Sequence, residues 1–301
     1  MSLEKETRKV FKQIHEGILK DKTASNRFRS MLTTAYLGVE DSFFHGKVCL
    51  DAGCGSHGGG IYNLFSLGAE KVYGLDVDST FVEPVKKVLE DGGFNGKYQL
   101  DIGSVLELPY PDNFFDYVQC HGVLHHTADA KKGLREMHRV TKPHGIIYIT
   151  IMGKGGLFHD LVFDYLRPRY KNDREFKKQV DSLRLEQIHK QLDWLIDNIK
   201  QETPEDKQGA QLLIGLKELI NQDYILSWWD ALQAPSYDRF TEEEVRGWFV
   251  ECGCYDIERV SRYPVYKNIR VVLAPLYFHY YSELARLLYG EGVIQLRAYK
   301  K

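Results

Sequence analysis

The chain has few cysteines, almost no net charge and no long apolar run. Its five cysteines, Cys49, Cys54, Cys120, Cys252 and Cys254, are odd in number and fall mostly inside expected elements, which excludes a disulfide framework and points to reduced thiols. Cys252-Gly253-Cys254 is a close thiol pair without further spaced partners, and no metal is expected. No stretch approaches the ~20 apolar residues that a bilayer span needs, and no signal-peptide pattern opens the chain. A cytoplasmic protein without a membrane segment is expected. Forty Lys and Arg against 42 Asp and Glu leave a formal charge of -2, not the basic balance of a general nucleic-acid binder, so no nucleic-acid partner is expected. What is present, 43% hydrophobic and 27% charged residues in 301, suits one large core with an appended element.

One short run stands out against that background. Val48-Cys49-Leu50-Asp51-Ala52-Gly53-Cys54-Gly55 is an apolar strand that stops at an acid and breaks into glycines. Gly53 and Gly55 lack the β-carbons that would keep a ligand off the backbone at the end of such a buried strand. A second apolar run, Lys71 to Leu75, is closed by Asp76, whose carboxylate is suited to accept both hydroxyl hydrogens of a ribose. An adenosine-containing cofactor is expected. Gly53, Gly55 and Gly58 spell G-x-G-x-x-G, which alone suggests NAD(P) or FAD. Asp51 argues the other way, because an acid beside the loop repels a dianionic pyrophosphate but not a cofactor with an ammonium group and a sulfonium centre. The acid favours S-adenosylmethionine.

Downstream, Leu108-Pro109-Tyr110-Pro111-Asp112-Asn113-Phe114-Phe115-Asp116-Tyr117-Val118 leads into Cys120-His121-Gly122-Val123-Leu124-His125-His126 and then Leu134 to Gly145. With these motifs the chain resembles the class I S-adenosylmethionine-dependent methyltransferase family, in the branch that includes quinone and other small-molecule methyltransferases. The resemblance covers roughly residues 46–153 well and 241–274 loosely; residues 154–240 and about the first forty show none. It implies an α/β fold, a doubly wound, mostly parallel seven-stranded Rossmann-like sheet, with the cofactor across the carboxyl ends of the first strands. Carried over by position, it implies cofactor contacts from Asp51, Gly53, Cys54, Gly55, Asp76, Val77, Gly103, Ser104, Val105, Cys120 and His121. Ser104 replaces the family's usual acid at the adenine, with Asp101 nearby as a substitute. His121 stands where asparagine is common, and His144 takes the first glycine position of the usual Lys-Pro-Gly-Gly turn.

Periodicity supplies the rest of the layout. Phe11, Ile14 and Ile18 share one helical face and Phe28, Met31, Leu32 and Ala35 another, predicting two N-terminal helices at the mouth of the sheet. Strands are predicted at 47–51, 71–76, 97–101, 115–120 and 145–151, alternating with helices at 59–67, 80–90 and 128–140. Leu185, Ile188, Leu192, Leu195 and Ile199, then Leu212, Leu213, Leu216, Leu219 and Ile220, predict a helical hairpin used as a cap. Thr241 and Glu244 mark a capped helix start that Gly253 ends. A strand at 256–262, a last antiparallel strand at 269–273 and a closing helix at 277–289 are expected after it. The expected division is N-terminal helices over the site (1–45), a cofactor-binding core (46–153), a helical cap insertion (154–240) and the C-terminal part of the sheet (241–301).

Methyl transfer is an in-line displacement, so the chain must align two reactants and exclude water, as a cap does. Phe158, Tyr224, Trp228, Trp229 and Tyr237 are candidates for an aromatic lining. For a hydroxyl acceptor, His121, nearest the fourth strand's end, is the first candidate base and His126 the second; O, N and C acceptors all stay open. Arg167 and Arg169 head a basic stretch that reads either as a solvated helix face, with Asp173, Glu175 and Asp181 interleaved, or as a funnel for an anionic acceptor. The expected function is methyl transfer to a small molecule. An NAD(P)-dependent oxidoreductase and a non-catalytic S-adenosylmethionine-binding protein are the alternatives.

Overall fold

The computed structural model describes residues 3–20, 22–203, 205–260 and 282–301. The chain opens with α1 (Leu3–Lys20), α2 (Lys22–Arg29) and α3 (Thr34–Leu37). An alternating stretch follows: β1 (Val48–Ala52), α4 (Gly59–Ser66), β2 (Lys71–Asp76), α5 (Val82–Asp91), β3 (Tyr98–Ile102), β4 (Phe115–His121), α6 (Ala130–Val140) and β5 (Thr141–Met152). Helices then dominate: α7 (Leu157–Asp160), a π-helical turn (Leu161–Leu166), α8 (Arg167–Asn172), α9 (Arg174–Ser182), α10 (Leu185–Glu202), α11 (Lys207–Leu219) and α12 (Gln222–Gln233). The chain ends with α13 (Glu242–Glu251), β6 (Cys254–Arg259), α14 (Glu283–Tyr289) and β7 (Val293–Lys300).

Among the described residues the sheet has seven strands in the order β3-β2-β1-β4-β5-β7-β6, with β7 antiparallel to both neighbours. Strand order reverses between β1 and β4, the position where open α/β sheets bind ligands beyond their carboxyl ends. Alternation along the strands feeds two cores. Leu50, Ala52, Ile147, Ile149 and Ile151 pack with Leu134 and Met137 of α6 and Phe249 of α13. Cys49, Val72, Ile146 and Tyr148 pack on the other face with Ile61 and Leu64 of α4 and Val85 and Leu89 of α5. Helices on both faces explain why β1 and the second half of β5 are predominantly apolar and buried.

Several expectations need correction. The second N-terminal segment is two helices, not one, because the chain breaks at residues 30–33 and Thr33 caps α3 by accepting from the Tyr36 N–H. The cap is not a hairpin alone. The α10–α11 hairpin exists, but five further helical segments flank it. The strand expected at 269–273 lies outside the described residues, as does the first part of the helix expected at 277–289, whose described part is α14. The antiparallel strand beside β5 is β7, where none was expected. Thr241 and Glu244 do form a reciprocal capping box. His144 sits at φ 62°, in the left-handed region, which accounts for the glycine usual at this turn.

Candidate active site

The loop after β1 is held by side chains from two other places in the chain, by the Leu75 carbonyl and by its own His57. Gly53 N–H and Cys54 N–H both donate to the Leu75 carbonyl. Gly55 N–H donates to Asp76 Oδ2 at 2.9 Å, and Asp78 N–H to Asp76 Oδ1 at 3.0 Å. Ser56 N–H donates to His15 Nδ1 at 3.3 Å, and Gly59 N–H to His57 Nδ1 at 3.0 Å. The glycines are required for a reason different from ligand approach. Both have positive φ, and a Cβ on Gly53 would lie 2.5 Å from Val123, while one on Gly55 would lie 2.9 Å from the His15 ring. Side chains of this chain fill the space that the missing β-carbons leave.

A cavity of about 640 Å³ opens beside this loop and runs beneath the helical cap. That volume is in the range of small-molecule sites. It is lined by Gly53, Asp76, Val77 and Asp78, with His15 and His57. His121, the last residue of β4, and His125 and His126 after it also line the cavity, with Asp230 of α12 and Tyr237. Phe11, Phe158, Phe163, Tyr224 and Trp228 supply aromatic wall. Trp229, expected there, instead packs with Ile14 and Ile18 of α1 and Ile225 and Leu226 of α12. That cluster clamps α1 to the cap.

His126 is the best-anchored imidazole of the three. Its Nδ1 donates to the Ser236 carbonyl at 2.9 Å, and because a carbonyl only accepts, Nε2 is left as the basic nitrogen. Nε2 lies 3.4 Å from Asp230 Oδ1. Tyr237 donates its hydroxyl to Asp230 Oδ2 at 3.4 Å, and its ring meets that of His126 edge-on at 4.6 Å. His125 is buried, and burial first, then the neighbouring His126 and His121, hold its pKa well below the usual histidine value. His121 lines the cavity from the end of β4, its ring 6.2 Å from that of Tyr148.

Of the residues expected at the cofactor, Gly53, Asp76, Val77 and His121 line the cavity. Asp51, Cys54, Gly55, Gly103, Ser104, Val105 and Cys120 are not among its walls. Asp51 shares its strand face with Cys49 and is buried against Gly60 of α4 and Gln119. Burial, with the charge of Asp76 adding and the Gln119 amide opposing, raises its pKa to about 7. The acids that give the cavity negative character are therefore Asp76 and Asp78 rather than Asp51. Ser104 Oγ accepts from the Leu106 N–H, and Asp101 accepts from the Tyr110 hydroxyl and the Gln99 amide. The arginines expected to draw an anion are engaged elsewhere. Arg167 is buried and donates to the carbonyls of Ala231, Leu232, Ala234 and Pro235, closing the C-terminal end of α12. Arg169 pairs with Asp173 and lies over the Phe176 ring.

Residues 50–149 match a family model described as a methyltransferase domain. A demethylmenaquinone methyltransferase of Geobacillus stearothermophilus is 36% identical over 125 residues, 40% of this chain and 53% of that protein. One from Bacillus subtilis strain 168 is 28% identical over 179 residues, 58% of this chain and 70% of that protein. The match is confined to the stretch from β1 to β5. The chain spans about half the length of the first curated relatives it matches. Among solved structures, an S-adenosylmethionine-dependent methyltransferase from Mesorhizobium loti is similar at 15% identity, with a TM-score of 0.48, over 88% of this chain and 96% of that one.

The cavity fits S-adenosylmethionine on its own features. Each Asp76 oxygen already accepts one backbone N–H and keeps lone-pair capacity for a ribose hydroxyl. Asp76 and Asp78 complement a cofactor with two cationic centres, and Arg8 is the one Arg or Lys among the cavity's described walls. Asp76→Ala is expected to weaken S-adenosylhomocysteine binding about tenfold to a hundredfold, through lost charged hydrogen bonds. Calorimetric titration measures it, and an unchanged dissociation constant would remove Asp76 from the cofactor site.

Proposed function

We propose that the protein transfers a methyl group from S-adenosylmethionine to an uncharged aromatic small molecule bearing a hydroxyl group. The observation that supports this most directly is that one cavity joins Asp76, at the carboxyl end of β2, to the His126–Asp230 pair. When bound, S-adenosylmethionine supplies an electrophilic methyl carbon on a sulfonium centre. The chain's own residues do the rest. Aromatic walls from Phe11, Phe163 and Trp228 hold a flat acceptor and keep water out. His126 Nε2 takes the hydroxyl proton, and Asp230 faces the imidazolium so formed. An aryl oxide has nucleophilic density on oxygen and on neighbouring ring carbons, so O- and C-methylation share this step. Arg167 and Arg169 are engaged in capping and pairing, so neither of them favours an anionic acceptor.

Methyl-labelled S-adenosylmethionine offered with reduced demethylmenaquinone, named in the relatives, and with a hydroxynaphthalene, the matching aminonaphthalene and a naphthoate tests the proposal. Label is expected in the hydroxylated acceptors alone. Transfer only to the amine or the carboxylate would overturn the acceptor class. S-adenosylhomocysteine binding without turnover of any acceptor would favour a binding protein, and preference for NADH an oxidoreductase.

A further inference from the structure

The helix α1 lies outside the segment matched to the methyltransferase domain, yet it lines the cavity. His15 projects from α1 onto the glycine loop, where its ring occupies the space over Gly55 and its Nδ1 accepts from the Ser56 N–H. That bond fixes the neutral tautomer, with the ring proton on Nε2, an N–H donor inside the compartment that also contains Asp76 and Asp78. Burial, opposed by these two acids and Asp230, keeps the His15 pKa below the usual value, in keeping with a neutral donor. One turn earlier on the same face, Phe11 stands 4.7 Å, ring to ring, from His126. Ile14 and Ile18, between and beyond them, anchor the helix on α12.

We propose that His15 is a contact residue for the cofactor, donating from Nε2 to an oxygen of its ribose or carboxylate, so that cofactor binding fixes α1 and with it the Phe11 wall of the acceptor chamber. The inference rests on the S-adenosylmethionine reading of the site. It assigns to a helix without family resemblance a part in cofactor recognition, and it makes the acceptor chamber complete only when the cofactor is held.

Calorimetric titration with S-adenosylhomocysteine, paired with amide hydrogen exchange over residues 8–19, tests it on the full chain. His15→Ala is expected to weaken binding about tenfold, the loss of one hydrogen bond to a charged or strongly polar partner. His15→Gln, which keeps a side-chain N–H donor, should stay within about threefold of wild type. Ligand should slow exchange in α1 of the wild type and of His15→Gln, and leave it unchanged in His15→Ala. Equal affinity of wild type and His15→Ala, with no ligand-dependent protection of α1, would overturn the assignment while leaving the cofactor intact. Failure of the wild type to bind S-adenosylhomocysteine would instead overturn the cofactor reading, and this inference with it.

Discussion

His126→Gln is expected to lower turnover of a hydroxyl acceptor by about 10²- to 10⁴-fold, the usual contribution of a positioned general base, while S-adenosylhomocysteine affinity stays at the wild-type value. The separation follows from the site's layout. His126 is tied to Ser236 and faces Asp230, groups outside the glycine loop. Its removal takes away the proton's destination without touching the glycine loop. Asp230→Asn should give a smaller loss, because the imidazolium then faces a dipole in place of a charge. Acceptor acidity provides the sharper test. A nitro-substituted phenol already ionised at the assay pH has no proton to surrender, so the His126→Gln penalty should shrink toward unity with it. A penalty of equal size for ionised and neutral acceptors would show that His126 shapes the chamber instead, and would return His121, first candidate by its place at the end of β4, to consideration.

The core of the fold is legible in the sequence because its elements are defined by local patterns. β2 occupies the residues its apolar run marks, ending at Asp76, and the Thr241–Glu244 box starts α13. β7 is not legible in the same way. Its outward alternation reads polar at Gln295 and Arg297, yet both are buried, Gln295 accepting from the Tyr36 and Tyr148 hydroxyls and Arg297 paired with Asp256 and Glu258. Partners 39 to 259 residues away make such a strand possible, and no short window of sequence contains them. The place of Arg167 is not legible for the same reason, since the carbonyls that absorb it belong to the far end of α12 and the residues just after it. At the site, the glycine pattern locates the loop but not its occupant. His15 adjoins the Phe11, Ile14, Ile18 stripe, and its one sequence signal is a four-residue spacing from Phe11 that a purely apolar count passes over. Asp230 follows two tryptophans in a segment without family resemblance, so its meeting with His126 is a property of the folded chain.

Asp51→Asn is expected to remove a pH-dependent penalty on stability of about 4 kcal/mol. The carboxyl has a pKa of about 7 in the fold against 3.8 in the reference state, so between these values the folded chain binds a proton that the unfolded chain has released. Stability then falls as pH rises, by about 1.4 kcal/mol per pH unit, and levels off above pH 7. This is the reverse of an ion-paired acid, whose contribution is lost on acidification. Other carboxylates and histidines titrate over the same range, but they are common to both proteins and cancel in the difference. Urea midpoints of wild type and D51N from pH 4.5 to 8 therefore measure Asp51 alone, with the advantage of D51N growing across the window by several kcal/mol, a large part of the ~5–15 kcal/mol that holds a domain together. A difference that stays constant with pH would mean that Asp51 ionises in the fold as it does in water, and that its burial against Gly60 and Gln119 is relieved by solvent.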